Sequence, residues 1–548
     1  MLMKKSKWLA LAGVSLLSVG VLVACSSKSN TSSNTYNYVY TADPETLDYL
    51  ISNKGSTTDA VTNGVDGLLE NDKYGNLVPS IAKDWTVSAD GLTYTYKLRK
   101  GVKWYTSEGE EYAEVTAKDF VTGLKHAADK KTESIYLAKD SVVGLADYFN
   151  GTDKDFSKVG VKALDDYTLQ YTLKQPEPYW NSKMTYSLFW PVNEEFLKSK
   201  GDSFGKSTDP SSILYNGPYI LKSLTAKSSI ELAKNENYWD KKNVHFDGIK
   251  LSFYDASDQE SLVRNFTDGA YSQARLYPTS SNFNSVEKQY KDNIFYTQPS
   301  ADIGGVGVNI DRQSYNHTSK KTDAEKDSTK KALLNKDFRQ SVNFAIDRTA
   351  YSAQLNGEKG AALAVRNILV KPDFVYAGDK SFGDLVTEKM ASYGDEWSGV
   401  NLKDSQDGIF NADKAKTEFN KAKEALQAQG VQFPIHLDLP VDQAAKSTVA
   451  RAQSLKQSVE KTLGKENVVV DVNQMSQDDL LNSTLYASNA AAEDWDINIS
   501  VAWAPDYEDP STFLDIFKTT ASENTKTYMG FDDPNNAAAA QVGLKDFD

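Results

Sequence analysis

The residues best suited to selective chemistry in this 548-residue sequence lie in the run Trp503-Ala-Pro-Asp506-Tyr507-Glu508-Asp509-Pro510. Three carboxylates, a tyrosine and a tryptophan share a stretch punctuated by Pro505 and Pro510, which interrupt regular structure. A loop of this composition can offer an ionised carboxylate to a cation and an indole face to an apolar or cationic group. A packing tryptophan followed by capping acids has the same composition, so the residue types alone leave both readings open.

The other reactive side chains do not assemble into a motif. His126, His245, His317 and His436 are scattered without HxxxH or HExxH spacing, which argues against a zinc set and for surface or local structural roles. Asp165-Asp166, Glu110-Glu111 and Asp478-Asp479 are pairs of the kind that 75 acidic residues produce by chance, and they read as turns and caps. Gly304-Gly305-Val306-Gly307 lacks the lysine and hydroxyl of a phosphate loop. It reads as backbone that is tightly packed or lies beside a ligand.

The elements that must position the 503–510 loop can be read from apolar periodicity. Ile497, Ile499 and Val501 alternate, so a strand delivers Trp503 to its end. Upstream, Asn411 or Asp413 caps a helix to Gln429 that carries Ala415, Phe419, Ala422 and Leu426 on one face. A strand over 435–439, a helix with Ala452, Leu455, Val459 and Leu463 on one stripe, and a strand over 468–472 then form a βαβ unit. Nearer the start, Tyr36, Tyr38 and Tyr40 mark a strand. Leu92, Tyr94, Tyr96 and Leu98 alternate before a turn at Gly101, and Val161 to Leu173 is a hairpin turning at Asp165-Asp166. Lys320 to Lys331 has no apolar period and reads as a solvated loop. The class is mixed α/β.

Lys4, Lys5 and Lys7 precede an uncharged run, Trp8 to Val23, too short to span hydrocarbon, which takes about 20 residues. This is a secretory signal. It ends at Leu22-Val23-Ala24-Cys25, where Cys25 is the sole cysteine, and a Ser/Asn/Lys/Thr tether follows to Thr35. Loss of residues 1–24 removes three lysines and takes the formal charge from −14 to −17, which disfavours nucleic acid as a partner.

Leu22 to Cys25 resembles the bacterial lipobox, which implies lipidation of Cys25. The whole chain resembles the oligopeptide-binding lipoproteins of peptide ABC importers (extracellular solute-binding proteins of family 5), close to the streptococcal members. The resemblance is carried by Asn76 to Trp85, Asp90 to Trp104, Thr116 to Val121, Asn216 to Tyr219, Asn235 to Trp239, Asn335 to Arg348 and Trp503 to Leu514. Each block is weak alone; their order and spacing together are specific.

The resemblance implies a two-lobed periplasmic-binding-protein-like fold of type II, in its large three-domain variant. Residues 1–24 are then the signal peptide and 25–35 the lipid-anchored linker. Residues 36–68 and 189–290 form a discontinuous N-terminal lobe, 69–188 an extra domain upon it, and 291–548 the C-terminal lobe. The family pattern continues past the Trp503–Leu514 block and returns to the first lobe, so the C-terminal return segment is expected to be missing here. By position, Asp506 matches the acid that receives a peptide α-ammonium and Trp503 a wall beside it, while Tyr507 and Asp509 frame the site.

The implied protein is a monomeric receptor, not an enzyme, needing no cofactor or metal. It is held on the extracellular face of the cell membrane by the lipid at Cys25, captures oligopeptides between its lobes, and delivers them to ABC transporter permease subunits. The alternatives are a receptor of the same fold for nickel, haem or a glycan, or an extracellular hydrolase.

Overall fold

The computed structural model describes residues 34–52, 54–295, 300–390 and 392–547. The signal peptide, Cys25 and most of the tether lie outside the described residues. Among the described residues, no helix is long and apolar enough to cross a membrane.

Two four-stranded sheets build the first half of the chain. One runs in the order Thr35–Tyr40, Gly248–Phe253, Ser229–Lys234, Tyr219–Thr225. Its first pair is parallel, Tyr36 opposite Ile249 and Tyr40 opposite Phe253, so the start of the body is stitched to a segment more than 200 residues later. The other is antiparallel in the order Ala82–Val87, Thr93–Leu98, Thr168–Thr172, Val161–Asp165. The period-two pattern places Tyr94, Tyr96 and Leu98 on its buried face, with Tyr96 edge-on to Tyr171 and Tyr171 against Trp180.

The helix Ala117–Asp129 covers this region. A capping box opens it: Thr116 and Asp119 satisfy each other's backbone N–H groups, and Trp104 Nε1 donates to Asp119 Oδ2 at 3.0 Å. Gly123 sits where a Cβ would come within 2.4 Å of the Trp190 carbonyl oxygen, so the helix approaches that backbone more closely than any side chain permits. One continuous apolar cluster runs from Tyr40 to Leu232 and joins both sheets.

A second cluster, from Ala332 to Ile499, is the core of the other half. The strands Ile435–Asp442 and Val468–Met475 pair in parallel across the helix Lys446–Leu463. Ile435, Leu437, Leu439 and Val441 alternate along the strand and are all fully buried, so one whole face of it lies in the core. The helix Ala412–Ala428 is capped by Asn411, whose Oδ1 accepts from the N–H groups of Asp413 and Lys414, and Gly430 beyond it takes φ +76°.

The stretch expected to be a solvated loop at 320–331 is instead ordered. Asp323–Leu334 is a helix with a Thr322/Glu325 capping box, and Lys320 is fully buried. Its inward face carries Ser328, Thr329, Ala332 and Leu333. Thr329 Oγ1 donates to the His436 carbonyl and Ser328 Oγ accepts from the Gln432 N–H. A face buried through hydroxyls has no hydrophobic period to read.

Lys320 belongs to a buried ionic cluster. Arg312 spans Asp438 (2.7 Å), Asp494 (2.7 Å) and Asp496 (2.9 Å), while Lys320 pairs with Asp438 at 2.8 Å and also with Asp496. His317 Nδ1 lies 3.1 Å from Asp494 and His436 Nδ1 2.7 Å from Asp471; His126, in the first half, is buried 2.7 Å from Asp48. These histidines brace carboxylates, which is the local structural role their spacing suggested.

Glu493 is buried beside this cluster. Burial pushes its carboxyl up to about 8, against the opposing effects of the Trp495 Nε1–H donor and the Lys526 charge. Its Oε1 has no hydrogen-bond partner among the described residues. The fold therefore favours the protonated acid. This stability is fully present below the ordinary carboxyl value of 4.5 and is lost as pH rises towards about 8. Glu493→Gln is expected to flatten that decline, which amounts to about 1.4 kcal/mol per pH unit at most. Urea denaturation at pH 4.5 and pH 8 checks it; parallel declines in both proteins would refute it.

Candidate functional site

The strand expected to deliver Trp503 consists of two short pieces. Ile497–Asn498 pairs with Gly307–Val308, and Ala502–Trp503 pairs with Ile303–Gly304. Ile497, Ile499 and Val501 are buried, as their alternation requires. The glycine-rich 304–307 segment is the partner of both pieces. A Cβ at Gly307 would lie 3.1 Å from the Tyr528 carbonyl oxygen, so the segment is tightly packed there, whereas Gly305 has open space beside it. Beside it is a largely apolar cavity of about 360 Å³ walled by Trp503, Phe513, Tyr528 and the Gly305–Val308 backbone.

Beyond Trp503 the chain is held by hydrogen bonds to the short helix Ser511–Leu514. Trp503 Nε1 donates to the Thr512 carbonyl at 2.7 Å, and the Asp506 N–H donates to Thr512 Oγ1 at 2.8 Å. Asp509 Oδ1 accepts from the Ser511 N–H and hydroxyl, at 2.9 and 2.7 Å, and so shapes the turn into that helix. Trp503 lines the cavity, Asp509 makes the turn, and Asp506 and Tyr507 face the first half of the chain.

At that contact the Asp506 carboxylate accepts two phenolic hydrogen bonds: Tyr136 Oη donates to Oδ2 at 2.7 Å and Tyr186 Oη to Oδ1 at 2.6 Å. Tyr507 stacks on Tyr179 with centroids 4.8 Å apart and planes 17° from parallel. The Lys183 ammonium lies 4.7 Å from the Tyr507 centroid and pairs with Glu177 at 2.9 Å. The Glu508 N–H donates to Ser182 Oγ at 3.3 Å. One loop thus clasps the 136–186 region through a carboxylate, a ring and a backbone group.

The electrostatics favour a cation. Burial raises the Asp506 pKa, while the hydrogen bonds from Tyr186 and Tyr136 and the charge of Lys183 pull it down. Burial lowers the Lys183 pKa, opposed by Glu177, Asp506 and Asp515. Both phenols are pushed up, by burial and by the Asp506 charge, and stay protonated as donors. Glu177, Asp506 and Asp515 therefore act on one lysine already committed to Glu177, leaving Asp506 free to hold a further positive group.

Residues 76–525 match the family described as bacterial extracellular solute-binding proteins, family 5. The chain belongs to that family. It is 69% identical to the oligopeptide-binding protein AmiA of Streptococcus pneumoniae over 549 residues, covering all of this chain and 83% of that protein. The oligopeptide-binding protein SarA of Streptococcus gordonii is 62% identical, with the same shares covered. Among solved structures, the substrate-binding domain of an oligopeptide ABC transporter from Bacillus anthracis superposes with TM-score 0.68 at 25% identity, covering 91% of this chain and 84% of that one. Listeria monocytogenes OppA bound to peptide gives TM-score 0.68 at 24% identity, covering 94% and 90%. The family-5 chain accordingly has an α/β periplasmic-binding-protein-like fold.

Sequence reasoning found the loop of this family-5 protein but not the residues that meet it. Tyr136 and Tyr186 are 370 and 320 positions from Asp506. Tyr179-Trp180 and Tyr186 are a visible aromatic concentration beside Lys183, and that was the available signal. Nothing local says which loop it faces.

Proposed function

We propose that this chain is an extracellular receptor that captures oligopeptides between its two halves and delivers them to an ABC permease. The observation that carries the reading is the Asp506 carboxylate, buried where the 503–510 loop meets the 136–186 region and oriented by two phenols. A peptide α-ammonium enclosed there needs an ionised partner, and Asp506 supplies one. Trp503 supplies an apolar wall, with Tyr507 and Asp509 framing the loop. Relatives named as oligopeptide-binding proteins, at 69% and 62% identity, support the same ligand class.

In this reading the fold is the type II, three-domain variant: 36–68 with 189–290 as N-terminal lobe, 69–188 as the extra domain, and 291–548 as C-terminal lobe. Peptides lie extended, pairing main chain to main chain, which gives affinity without strict side-chain selection. The protein works as a monomer and performs no catalysis. Lipid on Cys25 anchors it to the outer face of the membrane, each buried CH₂ contributing about 0.8 kcal/mol.

The test is calorimetric titration with a mixed peptide library, followed by mass spectrometry of what remains bound. Intact peptides of varied sequence are expected in the complex. Recovery of hydrolysed fragments, or of no peptide, would overturn the reading.

A further inference from the structure

We propose that Tyr136 and Tyr186 are positioning residues of the ammonium site, fixing the Asp506 carboxylate through one phenolic hydrogen bond to each oxygen once the two halves have closed over it. This rests on the peptide reading above and adds to it a pH dependence of binding set by the two phenols.

The geometry carries the argument. Each carboxylate oxygen takes one phenolic O–H, at 2.7 Å on Oδ2 and 2.6 Å on Oδ1, so the plane of the carboxylate is set from two points on the opposite half. The backbone N–H of Asp506 is held by Thr512 on its own side, so the residue is gripped from both. Each oxygen keeps a lone pair, so an ammonium can be accepted without displacing either phenol.

Among the described residues, the two phenols are the side chains that hydrogen-bond the Asp506 carboxylate, and the Lys183 charge acts on it from further away. Facing Asp506 from its own half are Tyr507, Asp515 and Tyr528; from the other come Tyr136, Tyr186 and Lys183 with its partner Glu177. Lys183 is shared with Glu177 at 2.9 Å and donates to Ser141 Oγ at 3.1 Å. The two phenols are the donors that reach the carboxylate oxygens. Burial works against the ionised form and the phenols work for it. Burial wins, so the Asp506 carboxyl stays above its ordinary value, and the phenols offset part of the hydration that closure removes.

Removing both hydroxyls should leave the ring packing in place and raise the pH at which Asp506 takes up a proton. Ammonium recognition needs the ionised carboxylate, so affinity lost on acidification will be lost at higher pH. The experiment is calorimetric titration from pH 4.5 to 8 with free penta-alanine and with its N-acetyl form, using wild type, Tyr136→Phe/Tyr186→Phe and Asp506→Ala. For the double variant we expect an acid-side midpoint about one unit higher for the free peptide and an unchanged profile for the acetylated one. An unshifted midpoint, or equal changes for both peptides, overturns the positioning role. Failure of wild type to bind either peptide, or equal losses in Asp506→Ala, overturns the peptide reading instead. If the double variant does not fold, Tyr136→Phe alone serves, because that side chain is 42% exposed, and it is expected to shift the midpoint in the same direction by a smaller amount.

Discussion

Replacing Asp506 with alanine is expected to weaken peptides with a free amino terminus more than tenfold while affecting N-acetylated peptides much less. A charge-assisted hydrogen bond to an enclosed ammonium contributes about 1.5–3 kcal/mol, and 1.4 kcal/mol is a factor of ten in affinity. The variant should still fold. Asp506 lies on a loop, and its N–H bond to Thr512 survives the substitution. Acetylation removes the ligand charge, so the carboxylate has little to offer that ligand. Calorimetry on matched peptide pairs separates the cases, and equal losses for both forms would end the assignment of Asp506.

The second large effect lies away from the loop. Lys320→Met is expected to destabilise the protein by about 3–5 kcal/mol, the usual result of leaving a buried charge without its partner. Lys320 and Asp438 are both fully buried, and Asp496 nearly so. Asp438 also accepts from Arg312, from the Thr318 hydroxyl at 2.6 Å and from Ser319 through its N–H at 3.0 Å and its hydroxyl at 2.8 Å. Burial alone would raise its pKa, but the Lys320 charge and hydrogen bond, Thr318 and Arg312 outweigh burial and hold it well below the usual carboxylate range. A depressed carboxyl contributes stability above its ordinary value of 3.8 and loses it on acidification. The gap between wild type and variant should therefore narrow below that pH. Urea denaturation at pH 7 and near pH 3 measures both quantities. A cost under about 1 kcal/mol at pH 7 would mean that dehydration of the ions cancels their attraction.

This cluster also bears on binding. Asp496 immediately precedes Ile497–Asn498, and its carboxylate accepts the Asp438 N–H at 2.7 Å. The buried ions thus tie the strand that leads to Trp503 onto the parallel pair Ile435–Asp442 and Val468–Met475. In the sequence, Asp494-Trp-Asp496 looks like the polar edge of a strand. Its partners Arg312 and Lys320 lie about 180 residues earlier, in a stretch with no apolar pattern. Charge runs are usually solvated, and most of the 320–331 run is; Arg312 and Lys320 are buried because each meets acids from other elements.

What could be read without the fold was whatever repeats locally. The helix Ala412–Ala428, the parallel pair about Lys446–Leu463, the hairpin at Asp165-Asp166 and the Tyr94/Tyr96/Leu98 face all follow from a period of 3.6 or 2 ended by Asn, Asp or Gly. The Asp323–Leu334 helix was missed because its inward face is made of hydroxyls and small residues. The loop at 503–510 was legible because acids, aromatics and prolines cluster there in a few positions.

The sequence by itself determined the α/β class, the family blocks and the cluster of acids and aromatics at 503–510. Only the tertiary structure decided that Tyr136, Tyr186 and Lys183 would surround Asp506, and that Asp509 would spend its carboxylate on a turn. The physical reason is range. Periodicity and capping act over one or two turns of chain, whereas the partners of Asp506 are more than 300 positions away and are chosen by how the two halves pack.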